Sequence, residues 1–239
     1  MRTFLTTGMS ALLIVLALGG AAFAQSCRLA LVLALDVSGS VDAAEYTQQV
    51  NGLAAALDHP DVRAQILDGS GLHVSLAVYE WSSRNHQYVI QPWTALTTNG
   101  VLDAAIARIR GHQKVRAGLR TAMGTSLSFA ASLFRAQSDC WVKTVDVSGD
   151  GKNNIGITPV QLYQSGAFDE ITVNALVIGG SGASQASAKH DLLRYFETEV
   201  IHGSSSFAMI AHGYDDYADA MRRKLIRELQ VPVFGASKY

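Results

Sequence analysis

Residues 29–40, LALVLALDVSGS, limit this chain more than any other stretch. Seven consecutive apolar residues ending on Asp36 read as a β-strand buried on both faces, because central parallel strands are near-continuous in Val, Ile, Leu and Ala. Asp36, Ser38 and Ser40 then place three short oxygen side chains at alternate positions, and Gly39 lets the backbone turn them toward one point. Hard divalent cations take oxygen ligands of this kind, with water or a partner completing the shell. Taken alone, the same residues also suit a Ser/Gly turn in which Asp36 caps the next helix.

The rest of the chain supplies the frame. Residues 41–57 have apolar positions at helical spacing, with Asp42 able to cap the start and His59-Pro60 ending the run. Residues 72–81 and 87–93 read as strands joined by the short SSRNH link, hence an antiparallel hairpin. Asn99 is the expected cap of a helix over 101–109, and a further helix runs from Thr121 through Phe134. Strands are expected at 141–147, 171–178 and 206–210. Helices are expected from Pro159, over 186–200 and over 214–229, with GGSGAS as a loop. Strand and helix alternate almost throughout. The expected fold is therefore α/β: a doubly wound, mainly parallel sheet with one antiparallel edge strand and helices on both faces.

In such a sheet, ligands bind outside the carboxyl ends of the strands near the point where strand order reverses. Asp36 to Ser40, Thr121 at a helix start, and Asp150 at the end of DVSGD should converge there. Two carboxylates and three hydroxyls around one point suit a small hard cation and leave coordination places vacant.

This ordered set resembles the von Willebrand factor type A domain and its metal-ion-dependent adhesion site, over nearly the whole chain after the leader. The resemblance implies that Ser38, Ser40 and Thr121 contact Mg²⁺ (or Mn²⁺ or Ca²⁺) directly while Asp36 and Asp150 act through water. It also implies that a protein partner's Asp or Glu completes the octahedron. The register Thr121-Ala-Met-Gly-Thr-Ser-Leu127 favours Thr121; Thr125, one turn into the helix, is the alternative. The family usually carries Gly-Gly before this threonine, whereas this chain has Leu119-Arg120. The segment DVSGDGKNN is also similar to that of an exported bacterial family of unknown function on the same fold, DUF1194-like. Asp146, mid-strand, is either half of a structural pair or an acceptor orienting a metal ligand.

Residues 1–24 carry Arg2, an apolar core over 11–18 and Ala22-Phe23-Ala24, which read as a secretory leader cleaved near Ala24. That places a domain of residues 27–239 in the periplasm or outside the cell, with no membrane span after cleavage. Removing the leader leaves 18 basic and 20 acidic residues, a balance that points to no nucleic-acid partner. The basic segment RGHQKVRAGLR is either a solvated loop or a recognition element for an acidic group. Cys27 and Cys140 each start an apolar strand; if those strands are parallel neighbours, the sulfurs meet at the edge opposite the carboxylates. Two free buried thiols are the other reading.

Enzyme readings are weaker. GTSLS is similar to the serine segment of subtilisin-like proteases, but His202 and His212 follow Ser126 and neither sits in the expected context. No nucleotide-phosphate cradle is present. A metal-assisted hydrolase is the principal rival to a metal-dependent protein-binding module, and a structural domain that has lost its metal is the other.

Overall fold

The computed structural model describes residues 26–115, 118–137, 139–180 and 186–230; the proposed leader lies outside them. In chain order the elements are β1 (Cys27–Asp36), α1 (Ala43–Asp58), α2 (Pro60–Ile66), β2 (His73–Trp81), β3 (Gln87–Leu96), α3 (Asn99–Arg110), α4 (Met123–Leu133), β4 (Val142–Gly149), α5 (Pro159–Tyr163), β5 (Ile171–Ile178), α6 (Ala186–Tyr195), β6 (Ala208–Ala211) and α7 (Tyr217–Leu229). The strands form one sheet in the order β3-β2-β1-β4-β5-β6. β3 runs antiparallel to β2, and all other pairs are parallel. This is the doubly wound architecture expected from the alternation of elements.

Every residue of β1 is buried. Its period of two splits the core. Leu29, Leu31, Leu33 and Leu35 pack with α1, α2, α3 and α7, while Ala30, Val32 and Ala34 pack with α4 and the aromatic Phe168 and Phe196. Leu33 is fully buried, so truncation to Ala would cost about 3 kcal/mol. The apolar run is thus explained by coverage on both faces.

Cys27 and Cys140 form a disulfide, with Cα atoms 4.5 Å apart, at the amino-terminal end of β1. Arg28, buried beside it, donates to the carbonyls of Leu229 and Gln65 and so ties α7 and α2 to that end. Asp36, the last residue of β1, and Asp150, just after β4, lie at the opposite end.

Several boundaries differ from the sequence expectations. His59-Pro60 does not simply end a helix: His59 accepts from Asp61 N and caps α2, with Pro60 in its first turn. Thr98, not Asn99, caps α3, because its hydroxyl accepts from Val101 N. α4 starts at Met123, which leaves Thr121 in the preceding loop. Phe196–Val200 winds as a π-helix rather than continuing α6, and Tyr214–Asp216 forms a 3₁₀ turn before α7.

Candidate metal centre

β1 ends on Asp36 at the place where the chain reverses its direction of strand addition, with β2 on one side and β4 on the other. Asp36 Oδ1 accepts from Ser38 N at 2.8 Å, and Val41 N donates to Ser38 O at 3.0 Å. These bonds coil residues 36–41 so that Ser38 and Ser40 face one another with Oγ atoms 3.4 Å apart. Thr121 Oγ1 lies 3.3 Å from Ser38 Oγ. Ser40 Oγ donates to Asp150 Oδ1 at 2.7 Å. Residues from three separate segments therefore meet at one sheet edge.

Other side chains hold this arrangement. Asn154 accepts from Thr121 N at 2.9 Å through Oδ1, and its own N donates to Thr121 O at 2.9 Å, a two-way clamp. Asn153 Oδ1 receives Gly124 N. A Cβ at Gly124 would lie 2.1 Å from Ile157 O, so only glycine lets the first turn of α4 approach this loop. Gln49 of α1 donates to Asp36 O, and Tyr214 OH lies 3.4 Å from Asp150 Oδ2. Sequence reading did not single out Gln49, Asn153, Asn154 or Tyr214. Only the asparagines left a trace there, as the end of DVSGDGKNN.

The electrostatics are unbalanced. Asp36 is fully buried, and its Oδ2 has no hydrogen-bond partner. Burial, and then Asp150, push the Asp36 carboxyl up to about 7; bonds from Ser38 and the charge of Lys114 only partly oppose this. The Tyr214 hydroxyl is also pushed up, by burial and then by Asp150, Asp36 and Glu45. Among the described residues no group of three or more His, Cys, Asp or Glu is placed to hold a metal. The donors at this edge are instead hydroxyls and carboxylates, an oxygen set of the kind hard cations take. The spacings of 3.3 to 3.4 Å between the hydroxyls exceed the usual O–H···O separation of about 2.8 Å, so these groups satisfy one another poorly.

The two remaining sequence candidates lie elsewhere. Thr125, one turn into α4, faces Gly156 rather than the hydroxyl group around Ser38. Asp146 does not reach the cluster. Its Oδ1 sits 2.7 Å from Nζ of the fully buried Lys224, which also contacts Glu228 at 2.6 Å. Asp146 is thus half of a structural pair: β4 is locked to α7 through buried charge. The mid-strand position gave no hint of a lysine so far along the chain.

The edge beside the cluster is also built. Buried Glu80, at the end of β2, accepts from Tyr46 OH and Val115 N, and its two oxygens face His86 Nε2 and His112 Nε2 at 3.2 and 3.3 Å. This carboxylate ties the β2–β3 hairpin to the segment following α3. On the other side, a cavity of about 710 Å³ is lined by Ser40, Glu45, Gln48, Asp150, Tyr214 and Asp215.

A model of the family described as "Protein of unknown function (DUF1194)" matches residues 26–233. Among curated proteins, no sequence matches this chain. Solved structures do. A von Willebrand factor type A protein from Catenulispora acidiphila aligns with a TM-score of 0.57 and 18% identity, over 85% of this chain and 43% of that one. Proximal thread matrix protein 1 from the mussel byssus, with a zinc-occupied MIDAS motif, aligns with a TM-score of 0.54 and 14% identity, over 85% of this chain and 46% of that one. The pilus adhesin SpaC from Lactobacillus rhamnosus GG gives 0.58 and 12%, over 85% and 30%. This chain spans less than half the length of each, and at these identities the likeness establishes the fold: that of von Willebrand factor type A domains.

Proposed function

The chain belongs to the DUF1194 family, a protein family of unknown function, and from that premise we propose that it is an exported protein-binding module whose contact with its partner depends on a divalent cation. Ser38, Ser40 and Thr121 would hold the ion, Mg²⁺ in the first place and Mn²⁺ or Ca²⁺ as alternatives. Asp36 and Asp150 would position it and its waters. A bound cation supplies positive charge to the two acids and an open coordination place for an external carboxylate. An Asp or Glu of the partner is the natural occupant.

One observation carries this reading: the unpartnered, fully buried Oδ2 of Asp36 beside a second carboxylate. A buried charge without a partner is costly, and nothing among the described residues offsets it fully. Three hydroxyls gathered at the same point fit a cation better than they fit one another. The named neighbours, an adhesin and a matrix protein whose motif holds zinc, support a binding module over an enzyme. The Cys27–Cys140 disulfide and the leader composition of residues 1–24 support an oxidising compartment, periplasmic or extracellular. The domain proper would comprise residues 27–239.

The test is capture from envelope extract in Mg²⁺ and in chelator, with the wild type and Asp36→Asn. Metal-dependent capture lost in the variant supports the reading. Capture that survives both chelator and substitution overturns it.

A further inference from the structure

We propose that Leu119 and Arg120 form a selectivity lip over the metal centre, so that the partner is a protein segment whose bridging acid is flanked by an apolar side chain and followed by a second acid. This rests on the metal-bridging reading above and adds the identity of the segment that docks.

The lip is this chain's own feature, since the motif it resembles has two glycines there. Leu119 is 83% exposed, the most exposed of the large apolar side chains among the described residues. It overhangs the metal loop: a Cβ at Gly39 would come within 3.2 Å of Leu119 Cδ2. Covering this side chain removes its apolar surface from water, which is favourable in proportion to the area covered.

The loop that displays it is pinned. Gly118 N donates to Ser82 Oγ at 3.1 Å, Arg120 N to Ser83 Oγ at 3.3 Å, and Ala122 N to Ser82 O at 2.8 Å. Position 118 admits no side chain, because a Cβ there would lie 2.0 Å from Ser83 Oγ. Leu119 is thus presented from a backbone anchored on both sides, and docking against it costs little ordering.

Charge sets the direction. On the Leu119 side, Arg120 is exposed, and so is Arg84, which follows the Ser83 whose Oγ receives Arg120 N. On the opposite side of the cluster, Glu45, Asp150 and Asp215 line the cavity. A segment carrying two acids is attracted on the first side and repelled on the second, so its second acid falls toward Arg120.

Synthetic octapeptides with one central Asp provide the probe. The neighbouring position is Leu or Ser and the next is Glu or Lys. Binding to the full chain is measured by fluorescence polarisation in Mg²⁺ and in chelator, with the Leu119 methyl signals followed by NMR. The Leu–Glu peptide should bind about tenfold more tightly than the Ser–Glu peptide, as expected for covering one leucine, and should shift the Leu119 methyls. Leu119→Ser should erase the Leu preference, and Arg120→Glu should reverse the Glu preference. Thermal melts of both variants should match the wild type, since both side chains are exposed. Mg²⁺-dependent binding indifferent to the flanking residues, or preferences unchanged in the variants, overturns the lip and leaves metal bridging standing. Binding of no peptide in Mg²⁺ overturns metal bridging and the lip together.

Discussion

Ser40 Oγ donates to Asp150 Oδ1 across 2.7 Å, joining the loop after β1 to the loop after β4 over 110 positions of chain. That contact holds the second carboxylate near Asp36 and adds to the charge imbalance that burial of Asp36 creates. Its consequences are open to measurement.

Asp36→Asn keeps an acceptor for Ser38 N and removes the buried charge. Mg²⁺ affinity, measured by calorimetry, should fall at least about tenfold, the usual scale for groups that orient metal ligands. In chelator at alkaline pH the variant should melt no lower than the wild type, because the charge it lacks was unpartnered.

Metal should oppose part of the pH dependence of stability that the metal-free chain shows. Burial and Asp150 raise the Asp36 carboxyl to about 7, and burial and Glu228 raise that of Asp146 to about 7, with Lys224 opposing. Unfolded aspartates titrate near 3.9, so the folded chain holds the extra protons between about pH 4 and pH 7. In chelator, the stabilising contribution of these groups is fully present below that window and is lost as pH rises through it. With Mg²⁺ the ion competes with the proton on Asp36, so the metal-induced rise in melting temperature should grow over the same window. Melts across this range with and without Mg²⁺ check both signs; a metal effect that shrinks with rising pH refutes the account.

Lys224 is fully buried between Asp146 and Glu228. Lys224→Ala leaves two buried acids without their cation and should cost about 3 kcal/mol or more in denaturant unfolding. Asp146→Asn should leave Mg²⁺ affinity within about twofold, since Asp146 contacts α7 rather than the cluster. A large loss of affinity would restore the reading in which Asp146 orients a ligand.

Replacing Cys27 and Cys140 together with Ser should lower stability by up to about 5 kcal/mol, the chain-entropy value for a loop of this size. Mg²⁺ affinity should hardly change, because the disulfide closes the opposite end of β1 from Asp36.

Much of this was legible in one dimension. Asp42 caps α1 as its position suggested: its carboxylate accepts from Ala44 N and Glu45 N while Glu45 reaches back to Asp42 N. The antiparallel β2–β3 pair followed from the length of the link between two β-rich runs. What escaped was decided between segments. Thr98 and Asn99 are comparable caps by residue type, and only the backbone angles chose the threonine. α2 was hidden because Pro60 both ends one helix and starts the next. Asn153, Asn154 and Tyr214 act on the cluster from loops whose sequences have no periodic pattern.

By itself the sequence determined the strands, the helices other than α2 and the oxygen atoms that stand at the strand ends, since apolar period and local hydrogen bonding act within a few residues. Tertiary structure decided which charges share a space: Asp36 with Asp150 and no cation of sufficient weight, Asp146 with Lys224 and Glu228, and Leu119 in water above Gly39. The reason is that desolvation and Coulomb energy depend on distance through space, and distance along a chain does not specify it.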